Sequence, residues 1–347
     1  MPRAVACPDK FRGTLRAKEA ADALAAGLRR AGFDDVLAVP LADGGEGTLD
    51  TLLDALGGSR RTARVTGPLG EPVDAQWGVL PGGTAVVEMA RASGLALVRE
   101  NDPLRASTRG TGELIAIARR EGFTRILVAV GGSATTDGGL AAVEALKWSL
   151  AGLEVTVACD VATAFTDAAR VYGPQKGATP AQVALLTRRL ERLAGEYRAR
   201  TGVDVTALEG AGAAGGLAGG LAAIGARLAP GFDVVAEAAG LEAALEGAAL
   251  AVTGEGRLDV SSLEGKVVGG VLEWCADLGV PRAAVIAGQV TEEARAAVAA
   301  PNVRVDALTD RVWDEREAFE RAALILEEAA VEAGRWALGA VRGTPGS

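Results

Sequence analysis

Apolar and polar positions follow two rhythms along the chain, and the change from one to the other divides it. The first apolar run, Arg3–Cys7, has strand length. A loop to Gly13 follows, then Ala17–Ala31, whose apolar positions recur at helical spacing until Gly32 stops them. A second apolar run, Val36–Pro40, completes a βαβ pattern, which argues for a parallel sheet. Between Arg61 and Leu97 the rhythm changes. Strand-like runs Thr62–Thr66, Val73–Leu80 and Ala85–Ala90 are separated by the turn sequences TGPLGEP and LPGGT, the pattern of antiparallel pairing. Helical spacing returns at Thr111–Glu121, and strands are expected at Ile126–Val130 and Val155–Ala158. Pro180–Thr201 reads as a long helix with charges on one face. A strand at Ala249–Thr253, a helix at Val267–Leu278, a strand at Ala283–Ala287 and a closing helix at Arg316–Leu338 follow, with a disordered tail at Arg342–Ser347. The economical reading is a discontinuous α/β domain with a second α/β domain inserted.

Composition narrows the chemistry. The chain has 347 residues and a net charge of −9, with no basic stripe, which disfavours nucleic acid and anionic membranes as partners. It contains no histidine, so Ser-His-Asp and Cys-His catalysis and His-ligated zinc are excluded. Proton transfer falls to Asp, Glu, Lys, Tyr or Cys. Cys7, Cys159 and Cys275 are widely spaced and odd in number, which reads as buried thiols in a reducing compartment. The N-terminal residues lack the apolar core of a signal peptide, and the longest apolar run, around Gly210–Ala226, is Gly and Ala rather than bulky. It reads as a tightly packed buried helix.

The 47 glycines cluster in loops that follow apolar strands, where open α/β sheets bind ligands. PDKFRGTL, Pro8–Leu15, carries Arg12 beside Gly13; it is either an anion-binding turn or a plain strand-to-helix turn with Thr14 as N-cap. ADGGEGT, Ala42–Thr48, sets Asp43 and Glu46 across glycines, either for Mg²⁺ or as a turn capping a Leu49–Leu56 helix. GGSATTDGG combines Gly131, Gly132, Gly138 and Gly139 with Ser133, Thr135 and Thr136, which makes it the best phosphate cradle in the chain. VACDV places Asp160 at a strand end, and YGPQKGA carries Lys176. GAGAAGG, Gly210–Gly216, contains G-x-G-x-x-G but lacks the acid expected at a following strand end, so close helix packing is the alternative to cofactor binding at Gly212. TGEGRLDVSSLEGK concentrates Glu255, Arg257, Asp259 and Lys266. Neither a P-loop nor the protein-kinase motif set is present.

Taken in order, these seven blocks resemble the signature blocks of the bacterial-type glycerate kinases, the family that includes glycerate 2-kinase, from about Pro8 to Gly288. The resemblance implies two unlike α/β domains. One is a Rossmann/flavodoxin-like parallel sheet from residues 1–65 and 245–347; the other is a mixed-sheet domain inserted as 66–244. It also implies a site in the cleft between them and ATP- and Mg²⁺-dependent phosphorylation of D-glycerate in the cytoplasm. The product would be 2-phosphoglycerate, with 3-phosphoglycerate as the alternative, and the enzyme a monomer or homodimer. Departures exist: Lys10 and Arg12 stand where the family has Ser and Lys, Thr136 where it has Asn, and the segments at Lys147–Gly152 and after Asp160 are short.

Phosphoryl transfer needs a phosphate cradle, a metal, a cation on the transferring group and a base. The candidates are Gly131–Gly139 with Gly212 for the nucleotide, and Asp43 and Glu46, with Asp259 as rival, for Mg²⁺. Lys176 or Lys266 would steady the phosphoryl charge, Asp160 or Asp137 would act as base, and Arg12, Arg257, Lys10 and Glu255 would bind the substrate. Two other classes remain open: a nucleotide-linked hydroxy-acid oxidoreductase, on GAGAAG alone, and a non-catalytic sugar-acid binding protein.

Overall fold

The computed structural model describes residues 2–312 and 315–341; the expected disordered tail lies outside them. Its strands in chain order are β1 (Arg3–Ala6), β2 (Asp35–Ala38), β3 (Ser59–Thr66), β4 (Pro72–Val79), β5 (Thr84–Glu88), β6 (Arg125–Ala129), β7 (Glu154–Ala158), β8 (Arg227–Ala229), β9 (Ala248–Thr253), β10 (Arg257–Leu258), β11 (Ala283–Ala287), β12 (Gln289–Val290) and β13 (Val303–Ala307). The chain divides into two units, Met1–Asp43 with Phe232–Ser347, and Gly44–Gly231.

The first unit is built on a five-stranded sheet, β13-β11-β9-β1-β2, in which every pair is parallel. β1 lies between β2 and β9, so strands from both chain ends share one sheet as the pattern implied. Ala4, Val5 and Ala6 are fully buried, which is why this strand reads as a continuous apolar run. Helix Ala17–Ala31 lays Ala20, Leu24 and Leu28 into the same core as Leu326, Ala329 and Ala333 of the final helix. That final segment, expected as one helix, is two: Glu315–Glu320 and Ala322–Val341. Thr14 is not the cap of the first helix: its hydroxyl bonds Phe11 O at 2.9 Å, and Arg16 precedes the first turn, its N–H meeting Glu19.

The second unit holds a six-stranded mixed sheet, β3-β4-β5-β6-β7-β8. The Gly/Pro turns do make antiparallel partners of β3, β4 and β5, while β5 to β8 run parallel. β3 pairs with β4 from Ser59↔Val79 to Thr66↔Pro72, so it belongs wholly to this sheet. A boundary at residue 65 would cut it from its partner; the division falls at 43/44 and 231/232 instead of 65/66 and 244/245. Leu49 and Leu52 of helix Thr48–Leu56 are buried, and amides at its start that lack a partner within the helix are met by a fully buried carboxylate: Glu88 accepts from Gly47 N at 3.0 Å and Leu49 N at 3.2 Å.

Candidate active site

In the first unit, three loops stand side by side over the carboxyl ends of β1, β9 and β11. Their spacing depends on glycine. A Cβ at Gly254 would lie 1.8 Å from Ile286 O, and one at Gly288 would lie 2.4 Å from Gly256 O. Backbone bonds lace the loops together: Asp9 N to Gly254 O at 2.9 Å, Gly288 N to Glu255 O at 3.0 Å, and Thr309 N to Gly288 O at 3.1 Å. The loops open onto a cavity of about 260 Å³ whose walls include Phe11, Arg12, Arg257, Gln289, Leu308 and Phe319. Arg12 and Arg257, both exposed, thereby line one cavity.

Carboxylates gather at the same strand ends. Asp9, which the sequence reading passed over inside PDKFRGTL, is buried; its Oδ1 accepts from Lys10 N at 2.6 Å. Burial drives its pKa up to about 7, and Asp43 and Glu255 push it the same way against the opposing charge of Lys10. The only signal in the sequence was an acid two residues beyond a buried strand. Glu255 is also raised, by burial first and then by Asp259 and Asp43, and its Oε1 is buried without a hydrogen-bond partner. Asp259 differs: its Oδ1 takes Ser261 N at 2.9 Å and Ser261 Oγ at 2.6 Å, so that oxygen closes a turn rather than waiting for a ligand. Lys266 bonds Ser261 Oγ at 2.9 Å. Among the described residues no three Cys, Asp or Glu form a ready metal cage. Mg²⁺ does not require one, since it keeps water and takes one or two carboxylates with phosphate oxygens. The repelling carboxylates and the partnerless Glu255 oxygen suit such a guest.

In the second unit, GGSATTDGG has two unlike halves. Gly131 and Gly132 lie against the Gly45–Glu46 turn: a Cβ on Gly131 would stand 2.6 Å from Gly45 Cα, and one on Gly132 3.2 Å from Glu46 Oε2. Gly132 is exposed, with φ +71°. The other half is sealed. Gly138 N is bonded to Gly215 O at 3.0 Å and Gly139 N to Asp137 Oδ1 at 3.1 Å. Their missing side chains make room for Leu193, Phe165 and Leu217. Gly138 and Gly139 thus pack the unit and offer no amide to a phosphate. Thr135 is fully buried, and Thr136, at the position where the resemblance has Asn, buries a hydroxyl without a partner. Asp137 is spent within the unit, accepting from Thr108 N at 2.9 Å and Thr108 Oγ1 at 2.8 Å; burial outweighs these bonds and raises its pKa. It is placed to hold the loop, not to take a substrate's proton.

Lys176 is buried beneath this loop, 3% exposed, and donates to Ser133 Oγ at 2.7 Å and Thr135 O at 2.6 Å. Desolvation lowers its pKa to about 7, opposed by Asp137. Two of its protons are committed to the loop it supports. Asp160 follows β7 and lies by the Gly44 turn, where a Cβ would come 3.3 Å from its Oδ1. Asp43 and Glu46, expected on one metal, fall to different units, Asp43 with Asp9 and Glu46 with Gly132. Gly212 of GAGAAGG is committed within the unit: its amide bonds Thr163 O at 2.9 Å, and a Cβ would lie 2.4 Å from Ala164 O. Ala214, Gly215 and Gly216 turn left-handed in a wholly buried segment, with Gly215 against Thr135 O. That leaves no opening for the pyrophosphate an oxidoreductase would bring.

Comparison with known proteins identifies the family and the fold. The profile of the glycerate kinase family matches residues 4–152 and 147–338. The chain is 41% identical to the glycerate 2-kinase of Escherichia coli K12 over 306 residues, covering 77% of this chain and 80% of that one. It is 38% identical to the glycerate kinase of Bacillus subtilis 168 over 94% of this chain and 95% of that protein. A solved structure provisionally named glycerate kinase 2, from Salmonella typhimurium LT2, superposes with a TM-score of 0.83 at 33% identity, covering 99% of this chain and 100% of that one.

Proposed function

Because the chain belongs to the glycerate kinase family, we propose that it is a glycerate 2-kinase that moves the γ-phosphoryl group of ATP to the C2 hydroxyl of D-glycerate with Mg²⁺. The observation that carries this reading is the first unit's strand-end cluster. Asp9, Asp43 and Glu255 stand close enough to perturb one another there, beside Lys10, Lys266, Arg12 and Arg257. A site for a polyphosphate needs both signs: cations for the phosphate oxygens and carboxylates for the metal.

The residues divide the work. Asp43 and Glu255 would hold Mg²⁺, which when bound neutralises charge on the phosphate oxygens. Arg12 and Arg257 present forked donors to an anion, for which Lys is a poorer substitute. In the reaction a bond forms between the glycerate C2 oxygen and the γ-phosphorus as the bond to the β-bridging oxygen breaks, and ADP leaves with that oxygen. The hydroxyl proton passes to a carboxylate. Asp160 is the proposed acceptor, because both oxygens of Asp137 are occupied. Lys176 keeps Ser133 and Thr135 in place. The buried or half-buried thiols, with Cys159 raised to about 11 and Cys275 to about 12 by burial, suit a reducing compartment, and the cytoplasm is the proposed location. No helix among the described residues is long and apolar enough to cross a membrane.

The test is direct. Incubated with ATP, Mg²⁺ and D-glycerate, the protein should yield 2-phosphoglycerate by phosphorus NMR, and EDTA should stop turnover. A 3-phosphoglycerate signal would overturn the position assigned, and undiminished turnover in EDTA would overturn the metal.

A further inference from the structure

The cavity at the carboxyl ends of β1, β9, β11 and β13 is larger and more apolar than glycerate requires. Its volume is about 260 Å³, and Phe11, Leu308, Phe319 and Ala322 form much of its wall. A cavity of about 150 Å³ accommodates benzene. By that ratio this one holds on the order of ten non-hydrogen atoms, the size of a purine ring system. D-glycerate is smaller and carries an oxygen on every carbon. Against Phe11, Leu308, Phe319 and Ala322 those oxygens would lose water without recovering hydrogen bonds, and only the polar side of the lining, Arg12, Thr14, Arg257, Gln289 and Thr309, could meet them. A flat heteroaromatic base gains from the same walls. Arg12 and Arg257 also line it, where they can lie on an aromatic face or reach a phosphate attached to it.

We propose that this cavity is the purine subsite of the phosphoryl donor, and that Arg12 and Arg257 act on the nucleotide rather than on the glycerate carboxylate. The proposal rests on the kinase reading above and adds to it where the base binds. The wall also permits a test that spares the fold. Thr309 is half-buried and enters the network through its backbone N–H, and Phe319 is 56% exposed. Neither position is a core keystone.

Thr309→Phe should fill the cavity and Phe319→Ala should remove a wall. With the full chain, ADP binding is measured by calorimetry, and KM is measured separately for ATP and for D-glycerate. Thr309→Phe is expected to weaken ADP binding and raise KM for ATP at least tenfold. Phe319→Ala is expected to do so about three- to tenfold. Both should leave KM for D-glycerate within twofold. Arg12→Ala should raise KM for ATP roughly ten- to hundredfold, the loss expected of a charged hydrogen-bonding group. If the variants instead raise KM for D-glycerate and spare ADP binding, the cavity belongs to the acid and the inference falls while the kinase reading stands. If the wild type binds ADP in a way Thr309→Phe abolishes, yet phosphorylates no glycerate, the kinase reading falls and the subsite stands.

Discussion

The glycine-rich loops of the two units look alike in sequence and do different things. At the strand ends of the first unit, Gly254, Gly256 and Gly288 let three loops stack edge to edge, and the charged residues between them stay at the mouth of a cavity. In the second unit, Gly138, Gly139, Gly215, Gly216, Gly219 and Gly220 close a loop against a helix, and no ligand can enter between them. The lesson lies in what replaces the missing Cβ. In both units much of it is backbone, Ile286 O and Gly256 O in the first and Thr135 O, Gly138 and Leu217 in the second; what makes the second a core is that the side chains of Phe165 and Leu193 press in beside that backbone.

The largest expected effect probes what both sets share, which is lack of space. Gly254→Ala would drive a methyl group into Ile286 O, and Gly216→Ala would add one 2.7 Å from Gly138 Cα at φ +92°. Each should cost more than about 3 kcal/mol in urea unfolding, Gly254→Ala for a methyl forced onto a backbone carbonyl and Gly216→Ala for overpacking combined with left-handed backbone strain. A loss under about 1 kcal/mol at either position would show that the loops part easily.

A smaller effect separates support from chemistry. The folded pKa of Lys176 is about 7, below its ordinary 10.5. Below pH 7 the group is charged in both states and its titration adds no pH dependence. Above pH 7 the folded form gives up its proton while the unfolded form keeps it, so stability rises with pH until about 10.5. The wild type should therefore gain on Lys176→Met by up to about 1.4 kcal/mol per pH unit across that window. Urea titrations of both proteins at pH 6, 8 and 9 check this; a constant difference would mean that Lys176 remains charged in the folded state.

The smallest effect on stability should accompany a clear effect on turnover. Gly132 is the exposed glycine of the half-open loop, and Gly132→Ala should cost only about 1 kcal/mol for its positive φ. If the Gly131–Ser133 stretch meets phosphate, kcat/KM should fall at least tenfold with the fold intact. Equal activity would place this half of the loop with its sealed neighbour.

Much of the fold was legible in the chain. Parallel strands buried on both faces read as apolar runs, and the TGPLGEP and LPGGT turns marked the antiparallel part. The unit boundary was not, because β3 carries the residues of a strand without saying which sheet it joins; only its pairing with β4 decides. Arg12, Arg257, Asp43 and Glu255 stand out in the chain because each is a charge beside glycine after an apolar run. Asp9 was missed because its surroundings, Asp43 and Glu255, come from distant segments. Asp137 and Lys176 were given chemical roles because sequence cannot show that Thr108, 29 residues from Asp137, already occupies that carboxylate, or that Ser133 and Thr135 occupy the amine.

The strand order of the first sheet also bears on how the protein is made. β1 has β9 as one of its two neighbours, and the whole of Gly44–Gly231 is translated between them. At a synthesis rate of roughly 5–20 residues per second, the apolar β1 waits about 12–50 s for that neighbour to appear. The second unit is continuous and can complete its own sheet on the ribosome first. The first unit forms late, through contacts of very high sequence separation, and such closures are slow. Until then one edge of β1, with Ala4, Val5 and Ala6 that the finished sheet buries, stays open to pairing with another chain.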